Sequence, residues 1–227
     1  RDRRPTEPCL MAAPKVARFE SAAIPLPAEN VDTDQIVPAR YLKVTDKAGL
    51  AEALFHDWRF EADGRRKEPP FVIDDPRYAG RAILVAGDNF GTGSSREHAP
   101  WALGACGIKA IVSTSFADIF KTNALKNGIL PIVVSPEDHA HIVAAIAANA
   151  DATFAVDPAR AELTLAGSAP IPFPIDPFAQ KMLLAGLDEI DYVRTQLPAI
   201  EAHESKRPRG IDTRGSNERD ATVAHGS

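Results

Sequence analysis

An α/β layered domain is the fold class this sequence predicts, and three observations carry it. Short apolar runs rich in branched residues recur at residues 82–86, 110–112 and 129–134, with the length and branching of buried strands. Helix signals stand between them, so strand and helix alternate, the order that builds parallel pairing. Three shorter runs follow at 153–156, 162–165 and 171–175, joined by turns and readable as antiparallel strands.

Taken in order, a short strand is expected over residues 16–19, ahead of the proline-punctuated Ile24-Pro25-Leu26-Pro27. Asn30 to Pro38 reads as a loop with one helical turn. Leu50, Leu54 and Phe55 fit the apolar side of a short helix. Residues 57–70 are polar and charged around Trp58 and Phe60, an ordered or mobile excursion, and Phe71-Val72-Ile73 reads as a strand. Pro100 belongs in a first helical turn, which places a helix start near Arg96, and Gly104 and Gly107 mark its end. Ser115 is read as the cap of a helix opening at Phe116, with Asn127-Gly128 as its stop. Ser135-Pro136-Glu137-Asp138 starts another helix, whose apolar side is Ile142, Val143, Ile146 and Ala147. A last helix is expected over 178–185. Residues 1–15 read as a poorly ordered extension and 16–200 as one domain. The tail, 201–227, has no aromatic residue and charges of both signs, so it is expected to be disordered. Met11 leaves open whether residues 1–10 are native.

The net charge is −5 with no Lys/Arg-rich run in the body of the chain, which argues against nucleic acid as a partner. No apolar run is long enough to span a bilayer, and no signal-peptide segment opens the chain; a cytoplasmic location is expected. The two cysteines, Cys9 and Cys106, form no paired motif. They supply neither a zinc site nor the thiolates of an iron–sulfur cluster. Any metal chemistry therefore needs another chain, and no metal ligand is assigned in this one.

The most informative stretch runs from Gly87 to His98, Gly-Asp-Asn-Phe-Gly-Thr-Gly-Ser-Ser-Arg-Glu-His. It links an apolar strand to a helix. Its glycines permit backbone conformations closed to other residues and let a ligand approach the main chain. Ser94, Ser95 and Arg96 are expected where helix amides begin, a natural place for a carboxylate or phosphate. An arginine beside paired serines suits a planar two-pronged grip on a carboxylate. A plain serine-capped turn is the structural alternative.

Together these segments resemble the small subunits of 3-isopropylmalate dehydratase, in the aconitase superfamily. The resemblance covers about residues 19–196. It rests on Asn30-Val31-Asp32-Thr33-Asp34-Gln35-Ile36-Val37-Pro38, on Gly91-Thr92-Gly93-Ser94-Ser95-Arg96-Glu97-His98-Ala99, and on Ser115-Phe116-Ala117-Asp118-Ile119-Phe120 with Asn123 and Gly128-Ile129-Leu130-Pro131. It implies the swivelling β/β/α domain that closes over a cluster-bearing partner. The implied reaction interconverts 2-isopropylmalate and 3-isopropylmalate through 2-isopropylmaleate, in leucine biosynthesis. The [4Fe–4S] cluster is then expected on the large subunit, and this chain works as a hydro-lyase only beside it.

By the same resemblance Ser94 is the base that removes the proton, and Asp34 orients a histidine of the large subunit. Gly93, Ser95 and Arg96 are expected to bind substrate, and Arg40 lies where the pattern suggests a substrate-facing arginine. Asp32 and Thr33 are read as shaping the turn, and His98 as a support behind the substrate. His56, His139 and His141 are read as solvent-facing or structural. Leu42, Leu50, Leu54 and Phe55 either line an apolar wall for the isopropyl group or pack a short helix. An isolated chain is expected to expose an apolar patch near the glycine turn and to be capable of self-association.

Rival readings remain. Related hydro-lyases act on methylmalate, citraconate or homoaconitate. The spacing of Gly87, Gly91 and Gly93 after a strand also admits a nicotinamide enzyme, a weak signal by itself. Gly93-Ser94-Ser95 lacks the Gly-x-Ser-x-Gly elbow of a serine hydrolase. A partner-stabilising scaffold with no reacting group is the non-enzymatic alternative.

Overall fold

The run Ile83-Leu84-Val85-Ala86 explains the layers, because all four of its side chains are buried and successive ones point to opposite faces. In the computed structural model, which describes residues 15–43 and 47–206, the elements follow in chain order. They are β1 (Phe19–Leu26), α1 (Thr33–Ile36), α2 (Lys47–Ala53), α3 (His56–Arg59), β2 (Ile83–Ala86), α4 (His98–Ala105), β3 (Ala110–Ser113) and α5 (Asp118–Lys126). Then come β4 (Leu130–Val133), α6 (Pro136–Ala148), β5 (Thr153–Asp157), β6 (Glu162–Leu165), β7 (Ile171–Pro172), α7 (Pro177–Ala185) and α8 (Glu189–Glu204).

The chain divides into two units, Arg1–Glu189 and Ile190–Ser227. The first contains a seven-stranded sheet in the order β4-β3-β2-β1-β5-β6-β7. Strands β1 to β4 pair in parallel, while β5, β6 and β7 join antiparallel. Leu84 and Ala86 face a core with Ile36, Leu50, Leu103 and Phe120, from α1, α2, α4 and α5. Ile83 and Val85 face a second core with Ile142, Ile146 and Leu183, from α6 and α7. The mixed α/β class expected from the sequence is the one observed.

Strand β1 joins the two halves. It pairs with β5 through Phe19–Ala22 and with β2 through Ala23–Leu26. It therefore begins later than the expected 16–19 strand and runs on through Pro25. Leu26 accepts from the Gly87 N–H on the β2 side, so the nitrogen of Pro25 faces the other side, beyond the end of the β5 ladder. Proline costs no ladder bond there. Pro131 is tolerated for the same reason on the edge strand β4, since its neighbour Leu130 is the residue that donates toward β3.

Several boundaries differ from expectation. Phe71-Val72-Ile73 is a turn, closed by the Asp74 N–H on the Phe71 carbonyl. Its residues serve the helical segment instead, with the Phe71 ring against Phe55 and Trp58. Residues 57–70 fold back on themselves, Lys67 donating its N–H to the Arg59 carbonyl, and Arg59 itself is buried. Its guanidinium donates to the carbonyls of Ala51 and Leu54 and forks onto Asp74 with two bonds of 2.8 Å. Burial pushes the Asp74 carboxyl up, but the Arg59 and Arg66 guanidinium groups outweigh it and hold it below the usual carboxylate range. Ser115 does not cap α5, which starts at Asp118 after Ala117. The Ser115 hydroxyl accepts from the Asn89 N–H at 2.9 Å and donates to Asp88 at 2.7 Å. Gly104 lies inside α4, and Cys106 is its C-cap. Ser135 does cap α6, accepting from the Asp138 N–H. In the second unit α8 carries the chain past Glu201 to Glu204, where order was expected to stop. The remainder of the expected tail (207–227), and residues 1–14 of the expected extension, lie outside the described residues.

Candidate active site

The glycine turn after β2 is shaped by close approach. A Cβ on Gly87 would stand 2.5 Å from the Ala28 carbonyl oxygen, and one on Gly91 would stand 2.6 Å from Cβ of Phe120. Gly91 and Gly93 also hold φ of +81° and +89°, the region L side chains rarely occupy. The turn lies along residues 31–34. Gly91 donates to the Val31 carbonyl at 2.7 Å, and Thr33 donates its N–H to the Thr92 carbonyl at 2.8 Å. The hydroxyl of buried Thr33 donates to the Ser94 carbonyl at 2.9 Å.

The segment receiving the turn is itself locked. Asp32 caps α1 by accepting from the Gln35 N–H, while the Gln35 side chain accepts from the Asp32 N–H, a reciprocal box. This directs Asp34 outward, where it meets Arg96. The guanidinium forks onto both carboxylate oxygens, with Nη2 to Oδ2 at 2.8 Å, and Nη1 reaches the Val37 carbonyl at 3.3 Å. Arg96 holds the Asp34 carboxyl below its ordinary value, its hydrogen bonds outweighing the opposing desolvation. The Asp34 side chain remains 56% exposed against 12% for Arg96.

Ser94 and Ser95 are exposed beside this pair, as is Gly93. Among the described residues neither hydroxyl has a hydrogen-bond partner. They do not occupy the first turn of α4, which begins at His98 after Glu97 and carries no side-chain cap. The helix-amide contribution expected for them is therefore displaced onto later residues, and Ser95 is not the cap of that helix. Arg96, the next residue after Ser95, is a cation in the same turn. His98 lies against Trp101, ring centroids 4.9 Å apart, and the Trp101 indole donates to Asn127.

Asp34, Gly93, Ser94, Ser95 and Arg96 are thus brought together. Arg40 is engaged elsewhere: it pairs with Asp57, shares His56 Nδ1 at 2.9 Å, and lies over the Tyr41 ring. Among the described residues no hydrogen bond or ion pair joins it to the Asp34–Arg96 group. Leu50, Leu54 and Phe55 are fully buried in the core, so of the two readings for them packing holds. His139 is structural, with Nε2 2.7 Å from the Ala86 carbonyl oxygen.

Among the described residues no three His, Cys, Asp or Glu side chains gather as a metal site. Cys106 places Sγ 3.5 Å from the Ala51 carbonyl, and burial pushes its thiol pKa up. Cys9 lies outside the described residues. The side chains in view do not fit an iron–sulfur cluster, which is held by several Cys thiolates.

The aconitase C-terminal domain model matches residues 13–137, a span that holds every one of these site residues. A 3-isopropylmalate dehydratase small subunit of Anaeromyxobacter dehalogenans is 53% identical over 189 residues, covering 83% of this chain and 96% of that protein. The chain belongs to this small-subunit family. A Roseiflexus small subunit is 50% identical over 84% of this chain and 93% of its own length. The crystal structure of 3-isopropylmalate dehydratase from Methanocaldococcus jannaschii superposes with a TM-score of 0.58 at 27% identity. It covers 82% of this chain and 99% of the other. As a small subunit of an aconitase-type enzyme, the chain is one part of a hydro-lyase with a large-subunit partner. No described helix is long and apolar enough to cross a membrane.

Thr33 was read from the sequence only as a turn former. Its bond to Ser94 spans 61 positions, and no local pattern announces such a contact.

Proposed function

We propose that this chain supplies the small-subunit half of a 3-isopropylmalate dehydratase active site, interconverting 2- and 3-isopropylmalate through 2-isopropylmaleate in leucine biosynthesis. The observation that carries the proposal is the exposed Ser94–Ser95 pair, without a hydrogen-bond partner among the described residues, held beside Arg96 on a turn locked at both ends. Ser94 is the proton-transferring group. A serine hydroxyl is a poor base unless its anion is stabilised, and the Arg96 guanidinium is the charge positioned to do so. Arg96 and Ser95 bind a substrate carboxylate, with Gly93 leaving room for its approach. Asp34 fixes the guanidinium on one side and presents its exposed edge to a histidine of the large subunit. Arg40 would join the substrate only after leaving Asp57. The iron–sulfur cluster belongs, in this reading, to the large subunit, and the assembled enzyme to the cytoplasm.

The test is an anaerobic assay of 3-isopropylmalate dehydration with this chain alone, a cluster-loaded large subunit alone, and both mixed. Activity only in the mixture is expected. Ser94→Ala should then abolish turnover while still co-eluting with the large subunit. Near-native turnover by that variant would leave a scaffold with no reacting group. No activity in a formed, cluster-containing complex would move the substrate to a methylmalate, citraconate or homoaconitate analogue.

A further inference from the structure

Two bonds from one residue straddle Gly93 in the active-site turn. Thr33 holds the Thr92 carbonyl through its N–H at 2.8 Å and the Ser94 carbonyl through its hydroxyl at 2.9 Å. Between these anchors sits Gly93, exposed and at φ +89°, a residue with no side chain to fix its own conformation. The Thr33 hydroxyl lies beneath it, so near that a Cβ there would stand 3.3 Å away.

Ser94 Oγ has no partner among the described residues, so the backbone beneath it fixes where the side chain starts and leaves only the choice of χ1 rotamer. That backbone is set, on its carbonyl side, by the Thr33 hydroxyl. The next residue, Asp34, grips Arg96. One short helix thereby registers both the serine and the arginine. We infer that Thr33 is a positioning residue for the dehydratase reaction, its side-chain hydroxyl aiming Ser94 at the carbon that loses the proton. This rests on the proposed role of Ser94. Thr33 touches neither substrate nor the reacting atoms; it acts through the serine turn.

Thr33→Val keeps the shape and removes the donor, leaving the Asp34–Arg96 grip on substrate in place. In the reconstituted two-subunit enzyme, kcat should fall by about tenfold or more, the scale on which a small misplacement of a reacting group acts. KM should change by less than kcat, because Arg96, the charged contact to the substrate carboxylate, is held by Asp34 rather than by this bond. Thr33→Ser restores the hydroxyl and should keep kcat within about twofold of the parent. Thr33→Ala repeats the loss of the donor in a smaller side chain and should show the same kcat loss, which covers a failure of the valine variant to assemble. A donor-less variant with parental kcat, or Thr33→Ser as slow as Thr33→Ala, overturns the inference. Ser94→Ala is measured alongside and retains the carbonyl that Thr33 holds. If Ser94→Ala is active, the assignment of the base fails; if it is inactive and Thr33→Val is parental, only the role of Thr33 fails.

Discussion

Replacing Gly91 with alanine asks the turn to accept one methyl group where two separate costs meet. The first is conformational: φ is +81°, and an L residue held in the left-handed region loses about 1–2 kcal/mol. The second is steric. The new Cβ would lie 2.6 Å from Cβ and 2.7 Å from Cδ1 of Phe120, a ring only 3% exposed and packed edge-on against Phe90 at 5.2 Å. That ring is also packed against Phe116, and overpacking of this kind costs about 1–3 kcal/mol. Together they predict a loss of roughly 2–5 kcal/mol. Gly80→Ala isolates the first cost, since Gly80 has φ of +75° and nothing within 4 Å of its added Cβ. It should lose only about 1–2 kcal/mol. Urea unfolding of the two variants and the parent, followed by circular dichroism, gives both values from the midpoints at a common slope. A Gly91→Ala loss within about 0.5 kcal/mol of that for Gly80→Ala would refute the steric half of the reasoning.

Two further expectations concern charge. The Asp74 carboxyl titrates below its ordinary value of 3.8, so the unfolded chain takes up that proton first as acid is added. Its stabilising contribution is complete above about pH 4 and is lost as pH falls through the folded value. Asp74→Asn leaves Arg59 buried without its carboxylate; it should cost about 3–5 kcal/mol at neutral pH and flatten the acid side of stability against pH, read from urea midpoints between pH 7 and 3. Asp34→Asn removes the charge from the fork that holds Arg96; the Asp34 side chain is itself more than half exposed, so stability should change by less than about 1 kcal/mol. In the assembled enzyme kcat/KM should nonetheless fall by about tenfold or more, because the guanidinium loses its register to the serines.

The legible elements are those whose causes are local. Strands β2, β3 and β4 announce themselves as short branched runs between turn residues, and α6 carries a Ser-Pro start followed by apolar positions at helical spacing. The strand expected at Phe71-Val72-Ile73 failed because an apolar triplet also suits a turn whose rings pack inward, and the choice was made by Arg59 and Asp74. Ser115 looked like a helix cap for the same reason: a hydroxyl can serve any nearby N–H, and the one it serves belongs to Asn89. Proline in β1 argued against a strand until pairing on two different edges made its missing donor harmless.

The order of apolar runs and glycines along the chain was enough to determine an α/β layering, a shaped turn after β2, and a serine–arginine cluster on it. Those follow from propensities and steric limits acting over a few neighbouring residues. Only the tertiary structure decided that Asp34 would pair with Arg96, that Arg40 would pair with Asp57, and that Thr33 would hold the serine turn. Each of these joins groups brought together by chain folding, with partners 17 to 62 positions apart. Such contacts form only where packing has already delivered both groups to one place, and that depends on the whole sheet rather than on either segment.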